Sequence, residues 1–119
     1  MQYINLTPHP INLFVDGKET ILPRSGMIAR CEETTEVVAV HDGVEWRRPA
    51  YGRLYCVITE EPFAGDEVSF PQPFHDTAFV VSGIALAAAK ALGRTDCVSP
   101  HGFIRDAEGR ILGCTGFSV

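Results

Sequence analysis

The stretch VVSGIALAAAKALGRTDCVSPHG, residues 80–102, decides the fold, because it places the strongest helix pattern of the chain between two short apolar runs. The continuous apolar run 78–81 predicts a buried strand. Residues 83–92 predict an alanine-rich helix, and Gly93 lies where a helix C-terminal cap is expected. Residues 97–99 predict a second strand. If the two strands are parallel, the segment is a compact βαβ unit with a right-handed crossover.

Such a unit suggests where a ligand binds. Ligands lie beyond the carboxyl ends of parallel strands, where a helix start offers unpaired N–H groups and a positive dipole end. Ser82 is placed to hold an anion there, although an N-cap role alone is the commoner explanation for a serine at this position. Ser99, Pro100, His101 and Gly102 follow the second strand. We therefore expect Ser82 and the turn that begins at Ser99 to be neighbours, with arginine side chains facing the hollow between them.

The remainder of the chain reads as short strands separated by turns, which predicts a mostly antiparallel meander. Asp16-Gly17 and Asp42-Gly43 are strong hairpin signals, because glycine and aspartate tolerate the positive φ that two-residue turns need. DAEGR, residues 106–110 with its flanks, predicts a closing hairpin. The predicted strands are 3–6, 11–15, 19–22, 27–31, 36–40, 44–47, 54–59, 68–70, 103–105 and 111–114. The prediction is a single β-rich α+β domain spanning residues 1–119, with one helix in a C-terminal strand-helix-strand unit.

Composition and charge limit the function classes. The chain has 119 residues, 45% of them hydrophobic and 21% charged, which is typical of a globular domain. A formal net charge of −5 disfavours nucleic acid and anionic membranes as partners, since such binding needs clustered cations. The N-terminus has no export pattern, and no apolar run is long enough to span a membrane. A cytoplasmic location is the expectation.

Two further segments are candidate anion contacts. PRSGMIAR, residues 23–30, presents Arg24 and Ser25 on a loop, and Arg105 follows soon after His101. Arginine offers forked recognition of carboxylate or phosphate, and the chain has eight arginines against two lysines. The alternatives are a type II turn with a solvated arginine at Arg24, and a structural ion pair or turn at Arg105-Asp106.

Catalysis and metal binding receive less support. Four histidines and four cysteines are present, but no pair has the local spacing of a metal site such as CxxC or HExxH. His75 and Asp76 suggest a general base and a carboxylate that orients it. Adjacent residues point in different directions, however, so they do not by themselves form that arrangement. We read the cysteines as small buried thiols of a reducing compartment. The sequence therefore predicts no metal, no cofactor and no catalytic residue.

Four landmarks carry a resemblance: NLTPHPI (residues 5–11), PRSGMIAR, FVVSGIALAAA (residues 79–89) and RDAEGRILGCTGF (residues 105–117). Together they resemble a group of small phage-type and prophage-type bacterial proteins. The resemblance implies no reaction and no residue roles. It implies a context, that of an accessory phage-type protein which interferes with a host defence. Small phage proteins that sequester nucleotide-derived immune signals are similar to this chain in size and in their lack of catalytic motifs only.

The sequence thus favours a non-catalytic binding protein for a small anionic, nucleotide-derived ligand. The predicted ligand contacts are Arg24, Ser25, Ser82, Ser99, His101 and Arg105. The small-residue helix, which is apolar nearly all round, adds the expectation of a homo-oligomer. Two alternatives remain open at this stage: a protein-interaction or virion accessory module that docks through an exposed sheet edge, and a small hydrolase that uses histidine or cysteine.

Overall fold

A computed structural model describes all 119 residues, Met1–Val119. Nine strands and one helix follow along the chain: β1 (Gln2–Asn5), β2 (Ile11–Val15), β3 (Lys18–Leu22), β4 (Met27–His41), β5 (Val44–Ile58), β6 (Glu67–Ser69), β7 (Thr77–Val80), α1 (Gly83–Ala91), β8 (Cys97–Arg105) and β9 (Ile111–Ser118). The predicted class, a single β-rich α+β domain, is confirmed. No helix has the length and hydropathy needed to cross a membrane.

Both Asp-Gly hairpins form where the sequence predicts them. Asp16 and Gly17 have φ of 52° and 74°, and Asp42 and Gly43 have φ of 51° and 78°. Two consecutive residues with positive φ are the geometry of the type I′ turn, whose twist matches the flanking strands. The turns join β2 to β3 and β4 to β5 as antiparallel pairs. The DAEGR hairpin also forms and pairs β8 with β9.

The predicted βαβ unit is confirmed. β7 and β8 are parallel neighbours, with Phe79 opposite Cys97 and Val80 opposite Val98. All four residues of β7 are buried, as its continuous apolar pattern predicts. Gly93 has φ of 82° just beyond the C-cap of α1, the conformation that favours glycine at this position.

Two sheets enclose the helix. The first has six strands in the order β1-β7-β8-β9-β2-β3, and the second has three in the order β4-β5-β6. The first sheet curls so that its two edges meet at one end, where Asn5 forms an isolated bridge with Arg24. One core cluster lies between α1 and the two sheets and includes Phe79, Leu86 and Cys56. A second cluster, built on Ile11, Val80 and Cys114, lies on the other face of β7.

The hairpin β4–β5 extends far beyond the body. Each strand has 15 residues, and in the portion 33–52, hereafter the arm, only Ala39, Ala50 and Tyr51 are not fully exposed. The radius of gyration is 16.7 Å, whereas a compact domain of this length has about 13.5 Å. The arm therefore projects from the body without intrachain cover.

Several strand boundaries differ from the prediction. Segments 27–31 and 36–40 are one strand, and the loop expected at 49–52 lies inside β5. Pro49 is tolerated there because β6 pairs only with Tyr55–Val57, which leaves β5 an edge strand at that point. Likewise 97–99 and 103–105 are one strand, with Pro100 beyond the last residue that pairs with β7.

The pairing of β1 also differs from a simple meander. β1 pairs with β7 in parallel, with Tyr3 opposite Ala78 and Asn5 opposite Val80, and it has no ladder with β2. β2 likewise has a parallel partner in β9. Local turn signals cannot predict these pairs, since their strands are tens of residues apart in sequence.

Candidate functional site

A cleft of about 580 Å³ lies where the carboxyl end of β7 meets β8. Both Ser82 and Ser99 line it, so the predicted proximity of these two residues is found. The turn predicted to begin at Ser99 does not form, because β8 continues to Arg105. The cause is the parallel register: Val80 is opposite Val98, and the Val81 N–H donates to the Val98 carbonyl at 2.8 Å. The next residue of each strand therefore reaches the same edge of the sheet. Beyond Val81 the chain turns into the helix, which leaves a gap beside β8.

The start of α1 forms one wall of the cleft. Ser82 has extended backbone (φ −66°, ψ 163°), and its Oγ accepts the Ala85 N–H at 3.2 Å, so the N-cap role is real. The Ser82 carbonyl accepts the Leu86 N–H. The N–H groups of Gly83 and Ile84 have no backbone or capping partner. No acidic residue lies in the first turn. The positive end of the helix dipole is therefore open to solvent at this wall.

A second wall is the loop between β1 and β2, and Asn5 fixes its shape. The Asn5 side chain is 2% exposed. Its Nδ2 donates to the carbonyls of His9 (2.8 Å) and Leu22 (3.2 Å), and its Oδ1 accepts from Thr7 N (2.9 Å) and Thr7 Oγ1 (2.6 Å). Thr7, His9 and Pro10 consequently line the cleft. These bonds give the NLTPHP landmark a physical role, because asparagine alone supplies two donors and an acceptor at this position.

Sequence reasoning missed Asn5 as a site-building residue. The available signal was an asparagine two residues before a threonine and followed by two prolines, a pattern typical of an Asx turn. The partner carbonyl at Leu22 comes from a different hairpin and has no local signal.

The third wall is apolar and comes from β8 and β9. Phe103, Ile111 and Leu112 line the cleft and are each about half exposed (52%, 53% and 49%). Pro10 and Pro100 add two further rings. This combination of exposed apolar side chains with a few polar groups is typical of small-molecule sites.

Close backbone packing beneath this wall depends on Gly113. A Cβ at this position would collide with the Asn12 carbonyl oxygen and, at 2.5 Å, with the Phe14 ring. Gly113 thus allows β9 and β2 to approach as parallel neighbours, with Leu13 opposite Cys114. The close approach of β9 to β2 fixes the position of the apolar wall relative to the loop between β1 and β2.

The structure does not bring the other predicted contacts into the cleft. Arg24, Ser25, His101 and Arg105 are exposed and are not among its lining residues. The Ser25 hydroxyl bonds within its own turn, to Met27. Arg105 Nη1 donates to the Gly109 carbonyl at 2.9 Å and so supports its hairpin, in place of the suggested ion pair with Asp106. A hollow walled by arginines, as expected from the sequence, is not found.

Arg105 nevertheless flanks the cleft. It is the ladder partner of Ile111, which lines the apolar wall. The cleft walls themselves contain one basic side chain, His9, and no carboxylate. Positive potential at the site therefore comes from the helix start and from flanking side chains.

A second hollow, of about 570 Å³, opens elsewhere on the curled sheet and contains two carboxylates, Asp76 and Asp96. Asp76 pairs with the N-terminal amine at 2.8 Å. Asp96 accepts two hydrogen bonds from Arg94, at 2.8 and 2.9 Å, which hold the pKa of that carboxyl below its ordinary value. Arg94 also donates to the Pro71 carbonyl. Both acids are structural partners of cations here.

The thiols are unsuited to nucleophilic chemistry. Burial raises the pKa of Cys56 to about 11, and burial together with the charge of Asp96 raises the pKa of Cys97 to about 11. Both are therefore neutral at physiological pH. All four cysteines are free, and no group of three or more potential metal-binding side chains occurs.

The fold and cleft define a β-rich α+β domain with a small, mostly neutral site at the carboxyl end of β7, beside β8. Comparison with protein-family models, with curated proteins and with solved structures finds no match.

Proposed function

We propose that the chain is a non-catalytic binding protein that holds a small anionic, nucleotide-derived ligand in the cleft. The observation that carries the proposal is the convergence of Ser82 and Ser99 on one cleft beside an open helix start. The unpaired N–H groups of Gly83 and Ile84 suit an anionic group, since backbone amides at a helix start need no cationic side chain to bind one. Phe103 and its apolar neighbours suit a planar ring.

Shape and chemistry of the cleft agree with this ligand class. A volume of about 580 Å³ falls inside the roughly 300–1,000 Å³ common for small-molecule sites. Thr7, Asn12, Ser82 and Ser99 provide neutral polar groups around the apolar wall. Such groups orient a ring by its edges, and no carboxylate lines the cleft. In this proposal Arg105 and His101 act only from the flank, and Arg24 and Ser25 remain candidate contacts at the margin.

The biological setting is a proposal that rests on the four sequence landmarks. In it the chain is a phage-type accessory protein in the cytoplasm of a bacterial host cell, where it sequesters a nucleotide-derived defence signal. Sequestration needs tight binding without turnover, which suits a cleft whose one thiol, Cys114, is buried.

Isothermal titration calorimetry with a panel of nucleoside monophosphates, diphosphates and cyclic nucleotides tests the proposal. We expect at least one member to release heat, and Ser99→Ala to weaken its binding. Ser69→Ala is the matched control, because Ser69 is exposed on β6 and outside the cleft. No heat from any compound at protein concentrations of about 100 μM would contradict the proposal.

A second candidate function is a protein-interaction module, and the arm is the observation that favours it. Five exposed apolar side chains lie on the arm: Val37, Val38, Val40, Val44 and Trp46. Exposed apolar clusters of this kind mark interaction surfaces in soluble proteins. Capture of a stoichiometric protein partner that is lost on substitution of the arm would support this candidate.

A further inference from the structure

The tip of the arm is an apolar head with one free charge. The rings of His41 and Trp46 are in contact, with centroids 4.4 Å apart and planes tilted by 53°. Val44 lies on the same face of the ribbon as these two rings and is 61% exposed, and Trp46 is 57% exposed. Val40 lies on the opposite face and is 59% exposed. Asp42 lies at the turn itself. Since an isolated two-stranded ribbon is marginally stable in water, such a head gains most from a surface that covers it.

Charges on the arm leave Asp42 as the unpaired group at the tip. Glu45 pairs with Arg47 at 2.8 Å, and Glu36 pairs with Arg48 at 3.0 Å. Asp42 makes no ion pair and no side-chain hydrogen bond. The end of the arm therefore presents an aromatic and aliphatic surface with a single uncompensated negative charge.

The cleft offers the complementary surface. Its apolar wall of Phe103, Ile111 and Leu112 is half exposed and lacks an intrachain partner. Arg105 lies beside this wall as the ladder partner of Ile111, and its guanidinium has no carboxylate partner. The nearby carboxylate of Asp106 is taken up by Arg110. The margin of the cleft thus carries an uncompensated positive charge next to an apolar depression.

We propose that the arm tip of one copy of the chain docks in the cleft of a second copy, and that the exchange is reciprocal. A second copy is the occupant because both halves of the contact are on one chain: a convex apolar head with a free carboxylate, and a concave apolar wall with a free guanidinium. Reciprocal exchange about a two-fold axis closes the assembly as a dimer. It also doubles the contact area, which moves two small contacts toward the roughly 1,200 Å² that stable interfaces bury.

This inference deepens the interaction-module candidate and rests on it, because it names the partner of the arm. It also has a regulatory consequence, since the arm and a small ligand compete for the same cleft. A ligand that fills the cleft releases the partner's arm, and removal of the arm tip strengthens ligand binding.

Trp46 makes the proposal measurable, since it is the only tryptophan in the chain. Analytical ultracentrifugation of the full chain is expected to show a monomer–dimer equilibrium. The fluorescence emission of Trp46 is expected to shift to shorter wavelength over the same concentration range, because docking removes the indole from water. A chain that stays monomeric at about 100 μM with unshifted emission would overturn the proposal.

Point variants identify the two surfaces. Trp46→Ala and Phe103→Ala are each expected to weaken dimerisation by about 30-fold or more, the usual effect of removing an aromatic anchor. Ile21→Ala is the matched control, because Ile21 is 57% exposed on β3 and outside both surfaces. All three positions are exposed, so circular dichroism and the melting temperature should remain near those of the parent chain. An arm-to-arm dimer would be insensitive to Phe103→Ala, and this result would overturn the proposal.

Mixing the variants is a sharper test. The Trp46→Ala chain keeps an intact cleft, and the Phe103→Ala chain keeps an intact arm. An equimolar mixture is therefore expected to form heterodimers through one native contact, at concentrations where neither variant dimerises alone. Failure of the mixture to associate more tightly than either variant would contradict arm-to-cleft exchange.

A double-mutant cycle tests the charge contact. Asp42→Asn removes the charge and keeps a residue that tolerates positive φ, and Arg105→Gln removes the opposite charge. Each is expected to weaken dimerisation severalfold, with the double variant no weaker than either single variant. Strictly multiplicative effects would exclude the Asp42–Arg105 contact. Because dimerisation is measured without nucleotide, its failure is distinct from failure of the calorimetric ligand test.

Discussion

Substitution of Ser82 separates its structural role from its role in binding. Ser82→Ala removes the Oγ that accepts the Ala85 N–H at 3.2 Å. Loss of a serine N-cap costs about 1 kcal/mol, within a range of about 0.5–2 kcal/mol. For a domain of this length such a loss lowers the melting temperature by roughly 3–6 °C. The expected result for Ser82→Ala is therefore a modest and measurable loss of stability.

Ser82→Asp is expected to behave differently in the two assays. Aspartate is as good an N-cap as serine, and its charge interacts favourably with the helix start by about 0.3–1 kcal/mol. The first turn of α1 has no acidic residue, so no existing side chain already stabilises the helix start in this way. Stability should equal or exceed that of the parent chain. Binding of an anionic ligand should fall steeply, because the carboxylate occupies the anion position and repels the ligand.

Thermal unfolding followed by circular dichroism and calorimetric titration together check this pair. A Ser82→Asp chain less stable than Ser82→Ala would refute the cap assignment and its energetic reasoning. A Ser82→Asp chain that binds the anion as tightly as the parent would refute the placement of the anion at the helix start. Ser69→Ala should change neither measurement, since Ser69 lies on exposed β6.

Three further changes test the structure around the cleft. Asn5→Ala should lower the free energy of unfolding by about 2–4 kcal/mol in chemical denaturation, because the buried partners of its amide lose their hydrogen bonds. A loss below about 0.5 kcal/mol would contradict this role of Asn5. Gly113→Ala should lower the free energy of unfolding by about 1–3 kcal/mol, because the added Cβ collides with the backbone of β2. Gly116→Ala, which has open space at its Cβ, should leave the stability nearly unchanged. Equal effects of the two substitutions would rule out the close approach of β9 to β2. The folded pKa of Asp96 is lowered by Arg94, so its contribution to stability is present above the ordinary carboxyl value of 3.8 and is lost as pH falls through the lower folded value. Asp96→Asn should flatten the pH dependence of the melting temperature below about pH 4. If the melting temperature of the variant falls with pH as steeply as that of the parent chain, the Arg94–Asp96 pair contributes nothing to stability in that range.

Local signals account for much of the fold. The two Asp-Gly turns, the closing hairpin and the helix with its Gly93 cap follow from φ preferences of a few residues, and each is present. The sequence does not predict the full length of β4 and β5, because the strands of an exposed ribbon carry polar residues on both faces. The Glu-rich centre of β4 and Pro49 in β5 therefore read as breaks. The parallel pairing of β1 with β7 is not predicted from the sequence, because Gln2 and its partner Thr77 lie 75 positions apart in the chain.

The site was predictable in part. Ser82 and Ser99 were placed together by one topological rule, that consecutive parallel strands end at the same edge of a sheet. The apolar wall was not predicted, since Phe103 and Leu112 read as ordinary strand residues until the hairpin places them beside the cleft. Nor could the sequence show that Arg105 would bond to Gly109 and remain at the flank. Side-chain direction depends on tertiary context, which residue type alone does not fix.

Amide chemical-shift mapping tests most directly whether the cleft at the ends of β7 and β8 binds a small anionic ligand. The labelled chain is titrated with the nucleotide panel, and shifts are followed residue by residue. The account predicts the largest changes at Gly83, Ile84 and Ser99, with smaller changes across the apolar wall. Changes concentrated instead in the second hollow, around Asp76 and Asp96, or no changes with any compound, would contradict it.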